Sequence, residues 1–291
     1  MTLTLTFWGT RGSIPSPGPH TTRYGGNTPC VELRSATGAL LILDAGTGIR
    51  HLGRSLLERS KGTPIVADIL LSHAHWDHIQ GLPFFAPLYE AGHEFTIRCA
   101  PGALGGVEAA LKSQMTSTVF PVSFDGFRSQ VRFRALNEIE RGDGYALRTV
   151  PLRHPGGATG YRVTDGNSGA PALVYISDNE LGEFAGYDSA ADWRDALVSF
   201  ARGASLLVHD AMYTADEYER HRGWGHSRYE DVVDLALDAG VERLVLFHHH
   251  PERSDTAVGE QVAACQQRSR ERGAGARLGI LAAEEGATLT V

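Results

Sequence analysis

The sequence predicts an α/β protein in which two β-sheets lie face to face with helices outside both. Three observations carry this. Eleven short apolar stretches read as strands, six helical patterns separate many of them, and the second half repeats the proportion of the first. Six of the apolar runs end in Asp or His, as strand ends gathered at one edge of a sandwich would. The 291 residues, 42% of them hydrophobic, are ample for a large core. No linker, repeat or low-complexity tract divides them, so residues 1–291 read as a single domain.

In chain order, the strand signals begin with "TLTFWG", "CVELRS" and "LLILDAG", followed by a helical rhythm over Ile49–Arg59. "DILLSH" comes next, then helical patterns over Ile79–Tyr89 and, after "FTIRCA", over Ala103–Met115. "VRFRAL", "YALRTVPLRH", "ATGYRVT" and "ALVYISD" form a strand-rich middle, with the turn "DGNSGA" between the last two. Helical patterns over Ala190–Ala201, Tyr229–Ala239 and Thr256–Arg272 are interleaved with "SLLVHDA" and "RLVLFHH". The Gly/Pro-rich stretches "GTRGSIPSPGPH" and "HPGGATG" are flanked closely by strands and read as ordered functional loops.

Composition narrows the function classes. "MTLTLTFWG" alternates like a strand and lacks the basic region and apolar run of a signal peptide. Nothing approaches the roughly eighteen apolar residues that span a bilayer, so no membrane role is expected. Cys30, Cys99 and Cys265 are odd in number and far apart, which disfavours disulfides and points to a reducing, cytoplasmic setting. The net charge is −7, only two of the 27 basic residues are lysines, and no basic block occurs. Long nucleic acid is therefore not an expected partner, because phosphate neutralisation dominates such binding.

The densest chemistry is "SHAHWDH", residues 72–78, between the apolar "ADILL" and a helix-like segment. Burying three imidazoles and a carboxylate without partners would cost a few kcal/mol each, roughly. A divalent cation supplies a partner to all of them. His73 and His75 alternate by two and point to the same side in an extended turn, while Asp77 and His78 face a second position. Two adjacent metals suit that spacing better than one. Asp44, His73, His154, Asp178, Asp210 and His248 are the six polar residues that end apolar runs. A lone Asp after a strand is usually a turn former or helix cap; six such endings describe a cluster.

These residues resemble the signature of the metallo-β-lactamase-fold hydrolases: "HAHWDH" matches HxHxDH, and the later His, Asp and His follow in order. The resemblance covers nearly the whole chain. It implies an αβ/βα four-layer sandwich of two mixed β-sheets flanked by helices, with a dinuclear site at one edge. In that pattern His73, His75 and His154 hold one ion, Asp77, His78 and His248 hold the other, and Asp178 bridges them. Asp44 is expected to steady the histidine loop from behind. The nitrogen and oxygen ligands suit zinc first, with manganese, iron or nickel as alternatives. His248 is chosen from "HHHP" because it directly ends "LVLF"; His249 and His250 stay candidates for supporting or substrate contacts.

Further motifs resemble the phosphodiesterase branch that includes ribonuclease Z and the cyclic-phosphate diesterases: "GTRGS", "YGGNTPC", "DAGTGI", "HDAMYTADEY" and "GWGHS". The resemblance implies attack by a metal-bound hydroxide, with Asp77 serving the chemistry as well as the metal. It makes Asp210 and His226 a catalytic pair in which the Asp favours the charged imidazole and His226 protonates the leaving alkoxide. His154 and Asp178 are only 24 positions apart, which leaves no room for the transfer-RNA-gripping arm of ribonuclease Z. A small phosphodiester, foremost a cyclic nucleotide, is the expected substrate. Arg11 and Ser13 are candidate phosphate contacts, with turn shaping as the alternative for both. Phe120, in "MTSTVFPVSF", is a candidate base-stacking residue, with a core role as the alternative for it and for Phe124. Ribonuclease Z-type processing, a thioesterase or lactonase on the same metals, and a non-enzymatic metal-loaded module are the competing functions. Relatives of this kind are commonly homodimers.

Overall fold

The computed structural model describes residues 3–166, 168–170, 172–182, 186–187, 192–273 and 277–291. Among these residues, alternation and apolar runs place fourteen strands in two seven-stranded mixed sheets. The first sheet has the order β14-β1-β2-β3-β4-β5-β6. Its strands are β1 (Thr4–Gly9), β2 (Cys30–Arg34), β3 (Leu40–Leu43), β4 (Val66–Leu70), β5 (Glu94–Cys99), β6 (Gln130–Ala135) and β14 (Thr288–Thr290). The second has the order β13-β12-β11-β10-β9-β8-β7. It comprises β7 (Ile139–Gly142), β8 (Tyr145–Leu152), β9 (Ala158–Asp165), β10 (Ala172–Ile176), β11 (Leu206–Asp210), β12 (Arg243–Phe247) and β13 (Gly279–Ala282). In each sheet, parallel pairing runs from β3 to β6 or from β10 to β13.

Period-two alternation divides each strand between two cores. Leu5, Phe7, Leu41 and Leu43 meet Tyr161, Leu173, Tyr175 and Phe247 between the sheets. On the outer face of the first sheet, Ile42, Ile69 and Ile97 pack under α1 (Ile49–Ser60) and α3 (Leu104–Ser113). On the outer face of the second, Val174, Ile176 and Leu244 pack under α4 (Trp193–Ala201), α6 (Tyr229–Asp238) and α7 (Asp255–Glu271). The expected four layers are present. No helix among the described residues is long and apolar enough to cross a membrane.

The structure departs from the sequence reading in three places. The helix expected over Ile79–Tyr89 is instead a short α2 (Trp76–Ile79) and two 3-10 turns, Leu82–Phe84 and Ala86–Tyr89. Pro83 and Pro87 remove amide donors and break the apolar rhythm. Helix α5 (Ala215–Arg220) was not anticipated; its signal is the capping box formed by Thr214 and Glu217. Strands β7, β13 and β14 were also missed, because short, partly exposed edge strands carry little apolar pattern. Residues 190 and 191 of the expected helix Ala190–Ala201, Asn167 of the expected turn, and Met1 and Thr2 lie outside the described residues.

Candidate metal centre

The centre is built from strand ends. β3 stops at Leu43 and the next residue, Asp44, turns in the left-handed region at φ 60°. Its buried carboxylate accepts from the Ser72 amide at 2.8 Å, the Ser72 hydroxyl at 3.0 Å and the Tyr175 hydroxyl at 2.8 Å. His78 Nδ1 lies 3.0 Å from the same carboxylate. Asp44 therefore fixes both ends of the histidine loop, as expected. Ser72 and Tyr175 escaped the sequence reading because a hydroxyl inside an apolar run looks like core.

Two groups of atoms converge beside that loop. His73, His75 and His154 present ring nitrogens within 4.8 Å of one another. His154 Nε2 lies 2.8 Å from His75 Nδ1. Asp178 Oδ2 stands 3.8 Å from His73 Nε2 and 3.7 Å from His154 Nε2. The other Asp178 oxygen, Oδ1, turns to the second group, 3.1 Å from His78 Nε2 and 3.4 Å from His248 Nε2. Asp77 Oδ2 completes it at 3.3 and 3.2 Å from the same two nitrogens. Asp178 thus presents one oxygen to each group. His73 Nε2 is buried without a hydrogen-bond partner. Such a nitrogen, facing others with carboxylates between them, fits a divalent cation.

Electrostatics agree with that fit. Burial lowers the His73 pKa well below the usual value and brings His154 down to about 4, so both rings are neutral donors at pH 7. Burial opposes the charge of Asp178 too, but the imidazoles of His248, His78 and His73 outweigh it and hold the pKa low. The same contest, decided by His78 and His248, keeps Asp77 ionised.

Beside the second group lies a further pair. His226 Nδ1 is 2.8 Å from Asp210 Oδ2, and the His226 ring stacks on His248 at 5.0 Å between centroids. Asp210 also accepts from the Met212 amide at 2.9 Å, which fixes its plane. Burial opposes a charge on His226, yet Asp210 overcomes it and raises the pKa to about 9.

Other expectations resolve individually. Arg11 does not face the centre: its guanidinium is buried and donates to the carbonyls of Gly25, His250 and Arg253. That is the turn-shaping alternative, and it corrects the phosphate contact. Ser13 does reach the centre, but through its backbone, whose amide donates to Asp77 Oδ2 at 2.8 Å. Phe120 is half-buried and packs edge-on to the exposed Phe84 at 5.4 Å, whereas Phe124 stacks on Phe133 in the outer core. Of the three final histidines only His248 joins the cluster. His249 is buried 3.0 Å from the Ala283 carbonyl, and His250 neighbours Tyr213. Cys30, Cys99 and Cys265 are all free and buried.

With this geometry in place, similarity to known proteins is informative. A model of the beta-lactamase superfamily domain matches residues 40–249. The chain belongs to the beta-lactamase superfamily. Within this superfamily it is similar to proteins of the phosphodiesterase and ribonuclease Z branch. It is 26% identical to ribonuclease Z of Halobacterium salinarum over 286 residues, covering 85% of this chain and 87% of that one. Unliganded yeast PDE1 superposes with a TM-score of 0.72 at 16% identity, covering 100% of this chain and 99% of the other. A diphosphatase of the PhnP family superposes with a TM-score of 0.64 at 20% identity, covering 99% and 97%. The superfamily member therefore carries the fold that the strand-end residues implied.

Proposed function

We propose that this protein is a metal-dependent phosphoric diester hydrolase acting on a small phosphodiester, foremost a cyclic nucleotide. The observation that carries the reading is the buried Asp210–His226 pair stacked against His248. A phosphodiester expels an alkoxide, a strong base that needs the proton donor this pair supplies, whereas a thiolate departs without one. His73, His75, His154 and Asp178 would hold one ion, and Asp77, His78, His248 and Asp178 the other. Zinc is the metal that the nitrogen and oxygen donors suit first, manganese the second. When bound, a pair of such ions supplies a nucleophile from water at neutral pH and counter-charge for the phosphate oxygens.

The chain's own residues do the rest. Asp44 holds the histidine loop in one geometry, and Ser13 orients Asp77 through its amide. Asp210 keeps the His226 proton on Nδ1 and favours the charged ring, whose Nε2 proton is the one given to the leaving oxygen. A cavity of about 520 Å³ reaches His73 and is lined by small residues, among them Gly156, Gly157 and Ala158, with the hydroxyl residues Thr149 and Thr159. Trp76 stands exposed at the start of α2 beside Asp77, Trp224 stands exposed on the turn that leads to His226, and Phe84 with Phe120 adds a further aromatic surface for stacking.

Ribonuclease Z-type processing is the second reading, favoured by the name of the Halobacterium relative. Against it, the interval from His154 to Asp178 is occupied by the paired strands β9 and β10, without an arm among the described residues. Acidic charge argues the same way. A zinc-loaded homodimer in the cytoplasm completes the reading, the dimer resting on the resemblance and the compartment on the unpaired cysteines. Product analysis with 3′,5′- and 2′,3′-cyclic nucleotides, a precursor transfer RNA, a thioester and a lactone tests it. Hydrolysis of a cyclic nucleotide with intact precursor RNA is expected; efficient opening of the lactone or thioester with every phosphodiester left intact refutes the reading.

A further inference from the structure

Glu180 follows the bridging residue Asp178 by two positions and is fully buried, yet it reaches neither group of the centre. Its oxygens are occupied elsewhere. Oε1 accepts from the Tyr218 hydroxyl at 2.7 Å and the Gly223 amide at 2.9 Å. Oε2 accepts from the Tyr187 hydroxyl at 2.7 Å and the Gly225 amide at 2.9 Å. Each oxygen thus takes one tyrosine and one glycine. Both phenols are kept protonated, as donors, by burial and by the carboxylate beside them. A buried carboxylate with four aligned donors is a costly group to retain unless it holds something in place.

What it holds is the turn carrying "GWGHS". Gly225, gripped by its amide, offers its carbonyl to His154 Nδ1 at 3.0 Å. That bond places the His154 proton on Nδ1 and leaves Nε2 free to face His75 and Asp178. Gly225 has φ +87°, and a Cβ there would fall 2.0 Å from His154 Nδ1, so ring and turn are in close contact. The Ser227 hydroxyl strengthens the grip: its Oγ donates to the Asn179 carbonyl at 2.5 Å and accepts from the Leu181 amide at 3.2 Å. Residues 179–181 therefore clamp residues 223–227, with His226 between the clamped positions.

We infer that Glu180 is a positioning residue: its carboxylate fixes the Gly223–Gly225 turn, and through the Gly225 carbonyl it sets the orientation of His154 toward the ion held with His73 and His75. The inference rests on the metal-centre reading, but its principal readout is metal affinity, which does not depend on the substrate. In Glu180→Gln the amide nitrogen turns donor against donor, so one glycine amide and one tyrosine lose their acceptor.

The test titrates the metal-free 291-residue chain, wild type and variants, with zinc in competition with a chromophoric chelator. Glu180→Gln is expected to retain a cooperative melt and to bind one zinc equivalent about 10–100-fold more weakly, the usual cost of losing a group behind a histidine ligand, with the other equivalent unchanged. Tyr218→Phe, which removes one donor and keeps the packing, should weaken the same equivalent by less. General loosening of the fold would weaken both ions alike. A folded Glu180→Gln with both affinities intact, or with both reduced equally, overturns the role. If Glu180→Gln fails to fold, Tyr218→Phe decides, and wild-type affinities there overturn it. A wild-type chain that binds both ions but cleaves no phosphodiester refutes the proposed reaction and leaves the affinity result standing.

Discussion

His226 and Asp210 form a buried ion pair with 2.8 Å between Nδ1 and Oδ2, and the imidazole lies flat against His248. His226 adjoins the ligand groups closely, with His154, Asp178 and His248 all within reach of its ring, so the test must separate a proton donor from a further ligand. His226→Ala should keep the fold and the metals but lower kcat by roughly 10²–10⁴-fold on a phosphodiester with a poor leaving group. With p-nitrophenolate, which departs unprotonated, the loss should be far smaller. Asp210→Asn should act in the same direction. Equal losses on both substrates, or lost metal, would make His226 structural.

The same pair sets the sign of a pH effect. A general acid works while protonated, so turnover of the poor-leaving-group substrate should fall as pH rises through the pKa of His226. That pKa stands at about 9 from Asp210, against the opposing effect of burial. Bound cations lower it further, which puts the falling limb at or below pH 9. The limb should be absent from the p-nitrophenyl ester profile and from His226→Ala; its survival in that variant would exclude the assignment.

Metal stoichiometry follows from the two oxygens of Asp178, one turned to each group. Elemental analysis of the zinc-saturated protein should find about two ions per chain. Verified chelation should abolish activity, and His75→Ala or Asp178→Ala should lose both metal and turnover. Full activity after exhaustive chelation would contradict the whole centre.

Gly12 makes a spatial prediction. A Cβ there would fall 2.4 Å from His248 Nδ1, whereas at Gly18 it would meet nothing within 4 Å. Gly12→Ala should displace His248 and weaken metal binding by about tenfold or more, the scale seen when a ligand's support is disturbed. Gly18→Ala on the same loop should leave affinity unchanged. Indistinguishable variants would mean that His248 tolerates displacement.

His249 supplies a stability test. Burial lowers its pKa to about 3, so it folds neutral, whereas in the unfolded chain it charges near pH 6.5. Its folded pKa is depressed, so its share of stability is complete above that unfolded value and is lost as pH falls toward 3. By linkage the share lost by pH 5.5 is on the order of 1 kcal/mol. His249→Gln, whose amide can still donate to the Ala283 carbonyl, should not lose it. Denaturant melts of the metal-free proteins at pH 7.5 and 5.5 measure the difference, and parallel changes would place the titration elsewhere.

The sequence exposed the centre well because ligands sit at strand ends, where an apolar run stops abruptly at His73, Asp178 or His248. It exposed the supports poorly. Tyr175 looks like any core aromatic until its hydroxyl is seen against Asp44 across the two sheets. Arg11 failed for the opposite reason: a charge on a Gly-rich loop resembles a phosphate ligand, and only the fold brings three carbonyls around it. The helix rhythm over Ile79–Tyr89 was real, but two prolines converted it to 3-10 turns.

The ligands are also divided in time. His73, His75, Asp77 and His78 lie after β4 of the first sheet, whereas His154, Asp178 and His248 follow strands of the second. During synthesis the first sheet emerges early with only the histidine loop; the group of His73, His75, His154 and Asp178 is complete once residue 178 has emerged, whereas the group of Asp77, His78 and Asp178 waits for His248. The outer strand β14 of the first sheet, paired with Thr4–Thr6, arrives later still. A chain cut before residue 154 would keep its histidine loop but lack every partner that the second sheet brings to it, so the two groups can be assembled only in order, the one around His154 before the one around His248.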